Sequence, residues 1–128
     1  MIRTNINRVG TTYIPVKDPR RSSSWYQEKL GAVENYLDED KAIVDFAGQS
    51  FFLVKAMGGQ QANFIDAKGQ EHFSLTFEVN GFDELKNLHN ELLKAGVDVR
   101  KIEDRGHPGN NFVFSDLDGN LFDVWSVH

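Results

Sequence analysis

The sequence predicts an α+β fold made of two tandem strand–helix–strand–strand–strand (βαβββ) modules. The order of strand-like and helix-like segments in the first half of the 128 residues returns in the second half, and each half contains one amphipathic helical segment. Matching residues also stand at equivalent positions of the two halves. Val16 and Val79 precede the two helical segments, and Gly48 and Gly119 precede the two final strands. Self-similarity of this kind indicates an internal duplication of about half the chain.

A single helix can cover only one face of the sheet in its module. We therefore expect the uncovered faces to curl together as a cup-shaped mixed sheet around a cleft. The length predicts one domain over residues 1–128. Its first module covers about residues 9–56, its linker about 57–70 and its second module about 71–128.

The first module begins with TTYIPV (residues 11–16), where alternating side chains predict a strand. A helix follows over residues 17–32, because Asp18 can cap the first amides, Pro19 suits the first helical position and Gly31 suits the end. Three short strands complete the module: VENYL, AIVDFA and SFFLVK.

The second module repeats this order after a loop-like stretch, AMGGQQANFIDAKGQE. HFSLTFEV (residues 72–79) alternates strictly and predicts a strand with Phe73, Leu75 and Phe77 on the core side. The helix over residues 82–96 places leucines at helical spacing and ends at Gly96. Three short strands follow: VDVRKI, NFVFSD and LFDVWS.

Composition excludes several classes of function. The chain has no cysteine, which excludes disulfides, thiolate metal sites and cysteine nucleophiles. Its net charge of −5 and the lack of a basic stripe argue against nucleic-acid binding. No apolar run approaches the roughly 20 residues of a membrane span, and the first ten residues lack the apolar core of a signal peptide. We therefore expect a cytoplasmic protein without a membrane partner.

The last strand contains a single carboxylate among apolar side chains. If Asp123 faced the core, the alternation of the strand would expose Phe122 and Val124 and would bury an unpaired charge. We therefore expect Asp123 to face the cleft together with Leu121 and Trp125.

Three segments carry a family resemblance: YIPVKDPRRSSSWYQEKLGA, FSLTFEVNGFDELKNLHNELLKAGV and FVFSDLDGNLFDVW. They resemble the vicinal oxygen chelate superfamily, which includes glyoxalase I, bleomycin-resistance and fosfomycin-resistance proteins and extradiol dioxygenases. DLDGNLFDVW is similar to the Asp-Pro-Asp-Gly-Asn turn of the family, with Leu117 in place of proline. The resemblance implies a homodimer, with each cleft closed either within one chain or between two.

The resemblance also implies a divalent metal in the cleft, held by the first and last strands of both modules. By register, the four ligand positions hold Thr11, Phe52, Ser74 and Asp123. One carboxylate, two hydroxyls and a phenyl ring are too poor a ligand set for such a metal. We therefore predict neither a metal nor another cofactor.

Further candidates line the expected cleft. His72 lies two residues before Ser74 and has three interpretations: a partly solvated histidine, a ligand contact or a metal ligand. Four inward-facing residues form either plain lining or an aromatic wall for a flat or apolar ligand: Tyr13, Phe52, Val54 and Trp125. The loop DRGHPGNN (residues 104–111) is either a surface loop or a lip from which His107 reaches inward.

The leading hypothesis is a metal-free protein that binds a small organic molecule in an aromatic-lined cleft formed by Thr11, Tyr13, Phe52, His72, Ser74, Asp123 and Trp125. No catalytic residue is assigned. The alternative is a metal-dependent lyase or dioxygenase with a displaced site that uses His72, Asp123 and either Glu78 or His107. A third hypothesis is a partner-binding module, which an exposed apolar patch outside the cleft would support.

Overall fold

The structure is a computed structural model that describes residues 2–127. The first module contains β1 (Thr11–Val16), α1 (Pro19–Leu30), β2 (Val33–Leu37), β3 (Lys41–Phe46) and β4 (Gln49–Lys55). Its four-stranded sheet has the order β1-β4-β3-β2, with β1 parallel to β4 and the remaining pairs antiparallel.

A short hairpin of β5 (Phe64–Ile65) and β6 (Glu71–His72) connects the modules. The second module contains β7 (Thr76–Glu78), α2 (Phe82–Lys94), β8 (Asp98–Val99), β9 (Asn111–Ser115) and β10 (Leu121–Trp125). Its sheet has the equivalent order β7-β10-β9-β8, with β7 parallel to β10. The predicted α+β class with two βαβββ modules and mixed sheets is confirmed.

Local chemistry accounts for the boundaries of α1. Oδ1 of Asp18 accepts hydrogen bonds from the amides of Arg20 and Arg21, at 3.1 and 3.3 Å, and Pro19 occupies the first turn. Gly31 ends the helix with φ of 70°, a left-handed conformation in which a side chain would be strained. The sequence predicted all three roles.

Three predicted segments differ from the structure. The expected strand over residues 72–79 is broken, because β6 pairs with β5 and only β7 joins the module sheet. The expected loop at 57–70 therefore contributes a strand. The strand expected at 97–102 is reduced to β8, and beyond it Arg100 and Glu103 keep only isolated backbone hydrogen bonds to β9 before residues 104–110 form a loop.

Each sheet has one face that the helix of its module covers. These two faces point towards each other, and their side chains form one shared core. Phe77 of the second module lies 5.4 Å from Phe46 and 6.0 Å from Phe51 of the first, measured between ring centroids. Tyr26 of α1 lies 6.4 Å from Phe122 of β10. The opposite face of each sheet, here called its outer face, consequently points away from the other module.

The turn between β9 and β10, DLDGN (residues 116–120), connects the modules by hydrogen bonds. Asp118 Oδ1 accepts from the amide of Lys17, and Asn120 Nδ2 donates to the carbonyl of Pro15 at 2.9 Å. Asn120 Oδ1 accepts from the amide of Ala62, in the segment between the modules. Asn120 is fully buried. The motif that carried the family resemblance is therefore an inter-module junction.

Candidate ligand-binding site

The outer face of the second sheet contains a cavity of about 410 Å³. Strands β7, β9 and β10 form its floor, and the loop before β9 forms one wall. Eight residues line it: Phe73, Thr76, Glu78, Arg105, His107, Asn111, Asp123 and Trp125. The volume is within the usual range for pockets that hold small organic molecules.

Asp123 lies on the cavity floor, in the orientation that the strand alternation predicted. Its neighbours Phe122 and Val124 pack in the shared core, while Asp123 faces the cavity and is only 2 % exposed. Its Oδ2 accepts hydrogen bonds from Thr76 Oγ1 and Asn111 Nδ2, both at 2.9 Å. These donors lie on the same face of the sheet, because Thr76 is paired with Asp123 and Asn111 is paired with Trp125.

Arg105 provides the countercharge of Asp123. Its Nη2 lies 3.1 Å from Asp123 Oδ1, and its Nε donates to Glu103 Oε2 at 2.9 Å. The guanidinium also lies over the ring of Phe73, 5.5 Å from the centroid. Burial opposes the charge, but the hydrogen bond to Glu103 and the carboxylate of Asp123 outweigh that effect and raise the pKa of Arg105.

Sequence reasoning missed Arg105, although it singled out the loop at 104–111. The one available signal was that Arg105 is a cation in a glycine-rich loop. This loop directly precedes β9, which pairs with β10, the strand of Asp123. The loop lies at the cavity: His107 is among the lining residues, and its ring centroid lies 6.3 Å from that of Trp125. Trp125 Nε1 donates to the carbonyl of Pro108 at 2.9 Å, which holds the loop against β10.

Three of the candidate residues lie on the outer face of the first sheet, away from Asp123. Tyr13 of β1 is paired with Phe52 of β4, and their ring centroids are 5.1 Å apart. Thr11 precedes them on the same face, and Tyr13 is 64 % exposed. The modules pack through their helix-covered faces, so one chain does not bring these residues into the Asp123 cavity.

His72 and Ser74 also lie outside the cavity lining. His72 belongs to the β5–β6 hairpin, where its ring stacks on Phe64 at 5.0 Å and its Nδ1 lies 2.7 Å from the carbonyl oxygen of Phe73. The strand expected over residues 72–79 breaks after His72, so His72 and Ser74 do not share one strand face. Phe73 was expected under α2, but the break turns it to the cavity and beneath Arg105.

The residues present do not fit the divalent metal of the resemblance. Asp123 already has two hydrogen-bond donors and a guanidinium around its carboxylate. Within residues 2–127, no group of three or more histidine, aspartate or glutamate side chains is placed to hold a metal ion. Thr11, Phe52 and Ser74 offer no imidazole or carboxylate, and Thr11 and Phe52 lie on the other sheet from Asp123.

A larger cavity, of about 510 Å³, lies between the modules on the helix side. Its walls are mainly apolar, from Leu30, Phe46, Phe77, Leu88, Phe114 and Val124. Of its charged residues, Lys29 already donates to the carbonyl of Ala95 at 2.8 Å. The Asp123 cavity is the better candidate site, because it holds the buried end of the Arg105–Asp123 ion pair and a buried acceptor, Asn111 Oδ1, that has no donor within residues 2–127.

Paired βαβββ modules with mixed sheets define the class of fold. The model of the Glyoxalase/Bleomycin resistance protein/Dioxygenase superfamily matches residues 5–124. The chain belongs to this superfamily, and the resemblance read from the sequence is confirmed. No curated protein gives a significant match.

Solved structures share this fold at low sequence identity. A lactoylglutathione lyase from Agrobacterium tumefaciens has a TM-score of 0.73 and 14% identity, covering 95% of each chain. The fosfomycin resistance protein FosX from Listeria monocytogenes, complexed with Mn(II) and sulfate, has a TM-score of 0.76 and 18% identity, covering 96% of this chain and 92% of its own. A putative glyoxalase family protein from Bacillus anthracis has a TM-score of 0.72 and 17% identity, covering 97% and 98%.

Neither helix within residues 2–127 combines the length and the apolar character that crossing a bilayer requires.

Proposed function

We propose that this protein binds a small organic molecule in the Asp123 cavity without a divalent metal. The observation that carries the proposal is the ion pair between Arg105 and Asp123. Asp123 is the carboxylate at one of the metal-ligand positions that the family resemblance implies. The guanidinium supplies the positive charge that a metal would otherwise bring to Asp123. The aromatic side chains of Phe73 and Trp125 supply apolar surface for a ligand.

The alternative is a metal-dependent lyase or dioxygenase with a displaced site. In its favour, Glu78, His107 and Asp123 line the same cavity. Against it, His72 lies in the β5–β6 hairpin, and Arg105 competes with any cation for Asp123. Bound metal and its effect on stability separate the two hypotheses.

The test is elemental analysis of the full chain, purified without added metal, together with thermal unfolding before and after chelator treatment. We expect less than stoichiometric metal and an unchanged melting temperature. Removing a tightly bound metal would lower that temperature by mass action. One Ni, Zn, Fe or Mn per chain, with a loss of stability on chelation, would overturn the metal-free proposal and favour the enzyme.

We also propose that the protein is a homodimer in which a second copy covers the outer face of the first sheet. What supports this is the exposed Tyr13 beside the half-buried Phe52, both separated within one chain from Asp123 and Trp125. A second copy seated there would bring the two groups of candidate residues to one cleft. The cytoplasmic location stays a prediction from the sequence.

A further inference from the structure

We propose that the ligand of the Asp123 cavity is an organic ammonium ion, a protonated amine on an apolar or aromatic body. This inference rests on the proposed function and names the chemical class of its ligand. Three features of the cavity carry it: an unpaired acceptor on the floor, the balance of charge, and the aromatic walls.

The floor of the cavity contains a buried acceptor without a donor. Asn111 is 3 % exposed and Asp123 is 2 % exposed, and Asn111 Oδ1 has no hydrogen-bond partner within residues 2–127. The orientation of the Asn111 amide is fixed, because its Nδ2 must face the carboxylate to which it donates. Arg105 Nη2 lies 3.1 Å from Asp123 Oδ1, and this carboxylate oxygen has a second lone pair that can accept from another donor.

Buried acceptors without donors are costly, and the cost disappears when a ligand brings N–H groups. The two oxygens belong to side chains that are themselves joined by a 2.9 Å hydrogen bond. A single ammonium group, which carries several N–H donors, can therefore serve both. A carboxylate brings acceptors only and would leave Asn111 Oδ1 unpaired.

The charge of the cavity selects a cation. Arg105 is shared between two carboxylates, Glu103 and Asp123, so it has no charge left over for an anionic ligand. Glu78 lines the same cavity and adds another carboxylate. The net charge of Arg105, Glu103, Asp123 and Glu78 is negative. An ammonium ion reduces this negative charge, whereas an anion increases it.

The walls provide faces on which a cation and its apolar body can pack. Trp125 and Phe73 both line the cavity. Aromatic faces attract cations, with tryptophan the strongest, and Phe73 already supports the guanidinium of Arg105 in this way.

The experiment compares three probes of similar shape: protonated 2-phenylethylamine, neutral 2-phenylethanol and anionic phenylacetate. The protein is the full chain carrying Trp25→Phe, so that Trp125 is the remaining tryptophan of the two in the sequence and its fluorescence reports on the cavity. We expect the amine to bind about tenfold or more tighter than the alcohol, the value of one charge-assisted hydrogen bond, and phenylacetate to bind weakest.

A second variant tests the role of charge without disturbing buried groups. Glu78→Gln should weaken amine binding roughly two- to fivefold, as expected for an exposed ion pair, and leave the alcohol unchanged. Glu39→Gln, which makes the same change of charge in the exposed turn before β3, should leave both affinities unchanged.

The outcomes separate this inference from the proposed function. Phenylacetate or the alcohol binding as tightly as the amine would overturn the ammonium inference and leave the cavity as a ligand site. If none of the three probes changes the fluorescence of Trp125 at millimolar concentration, both the ammonium inference and the proposed function are contradicted. Equal losses in Glu78→Gln and Glu39→Gln would show a general charge effect and overturn the inference.

Discussion

The hydroxyl of Tyr26 donates a 2.6 Å hydrogen bond to Asp116, joining α1 of the first module to the turn before β10 of the second. Both side chains are buried. Burial, followed by the nearby Asp116 carboxylate, raises the pKa of Tyr26 well above its usual value. Burial also raises the pKa of Asp116, although hydrogen bonds from Tyr26 and Asn120 oppose the rise.

The raised pKa of Tyr26 predicts a loss of stability in alkali. The neutral phenol is favoured in the folded state, so its contribution is complete below the unfolded pKa of about 10 and is lost as pH rises above that value. Tyr26→Phe should be less stable at pH 7 by about 1–3 kcal/mol, because Asp116 loses a donor. Its stability should then fall less steeply than that of the wild type above pH 10, as urea unfolding across pH would measure.

The control for this prediction is Tyr36→Phe. Tyr36 donates to Asp38 in an exposed turn, so removing its hydroxyl should change the unfolding curves much less. A Tyr26→Phe protein that loses stability in alkali as steeply as the wild type would contradict the assignment.

The leucines of α2 that face the core should be sensitive to truncation. Leu85 and Leu92 are buried, and either one changed to alanine should lower the free energy of unfolding by about 2–5 kcal/mol. Leu93→Ala is the matched control, because Leu93 is 55 % exposed on the same helix. Chemical denaturation would measure all three, and equal losses at Leu92 and Leu93 would mean that the buried face of α2 is assigned wrongly.

The two-residue turn between β3 and β4 contains a strained residue. Ala47 has φ of 52° and Gly48 has φ of 70°, the pair of positive angles for which Asn-Gly is preferred. Ala47→Asn should stabilise the protein by about 0.5–1 kcal/mol, since asparagine tolerates this conformation better than alanine. Gly48→Ala should change the melting temperature in the opposite direction, and a gain in that variant would refute the strain argument.

Asp123→Asn should cost stability. By size alone, the amide would leave folding nearly intact, since it keeps the volume and one acceptor of the carboxylate. The ion pair with Arg105 changes that expectation, and we now predict a loss of about 1–3 kcal/mol, because the half-buried guanidinium loses a partner. Glu103→Gln removes the other, more exposed partner of Arg105 and should cost less than about 1 kcal/mol by the same denaturation experiment.

The proposed dimer should depend on the outer face of the first sheet. Tyr13→Glu places a charge on that face and should shift the protein towards monomer in sedimentation equilibrium, because burying the charge in an interface is costly. Leu93→Glu puts the same charge on an exposed apolar position of α2 and should leave the assembly unchanged. A wild-type monomer, or a dimer unaffected by Tyr13→Glu, would refute the proposed interface.

Local features of the fold could be predicted from the sequence. The cap at Asp18, the stop at Gly31 and the orientation of Asp123 depend on neighbours a few residues away. The break before β7 depends instead on the stacking of His72 with Phe64, across a hairpin that no short pattern indicates.

The candidate site was less predictable for two physical reasons. Strand alternation assigns a side chain to one face of its sheet, but it does not say which faces of two sheets meet. Tyr13 and Phe52 were therefore grouped with Asp123, although within one chain they lie on the outer face of the other sheet. Arg105 reaches Asp123 from an irregular loop, whose path is set by contacts such as that between Trp125 and Pro108.

The DLDGN junction has a consequence for synthesis of the protein. Its bonds to Lys17, Pro15 and Tyr26 span 101, 105 and 90 positions of the chain. At a translation rate of roughly 5–20 residues per second, the first module waits on the order of 5–20 seconds for these partners. During that interval its helix-covered face, with Phe46 and Phe51, has no second module to pack against. The nascent first module is thus the stage at which we expect chaperones to bind this chain.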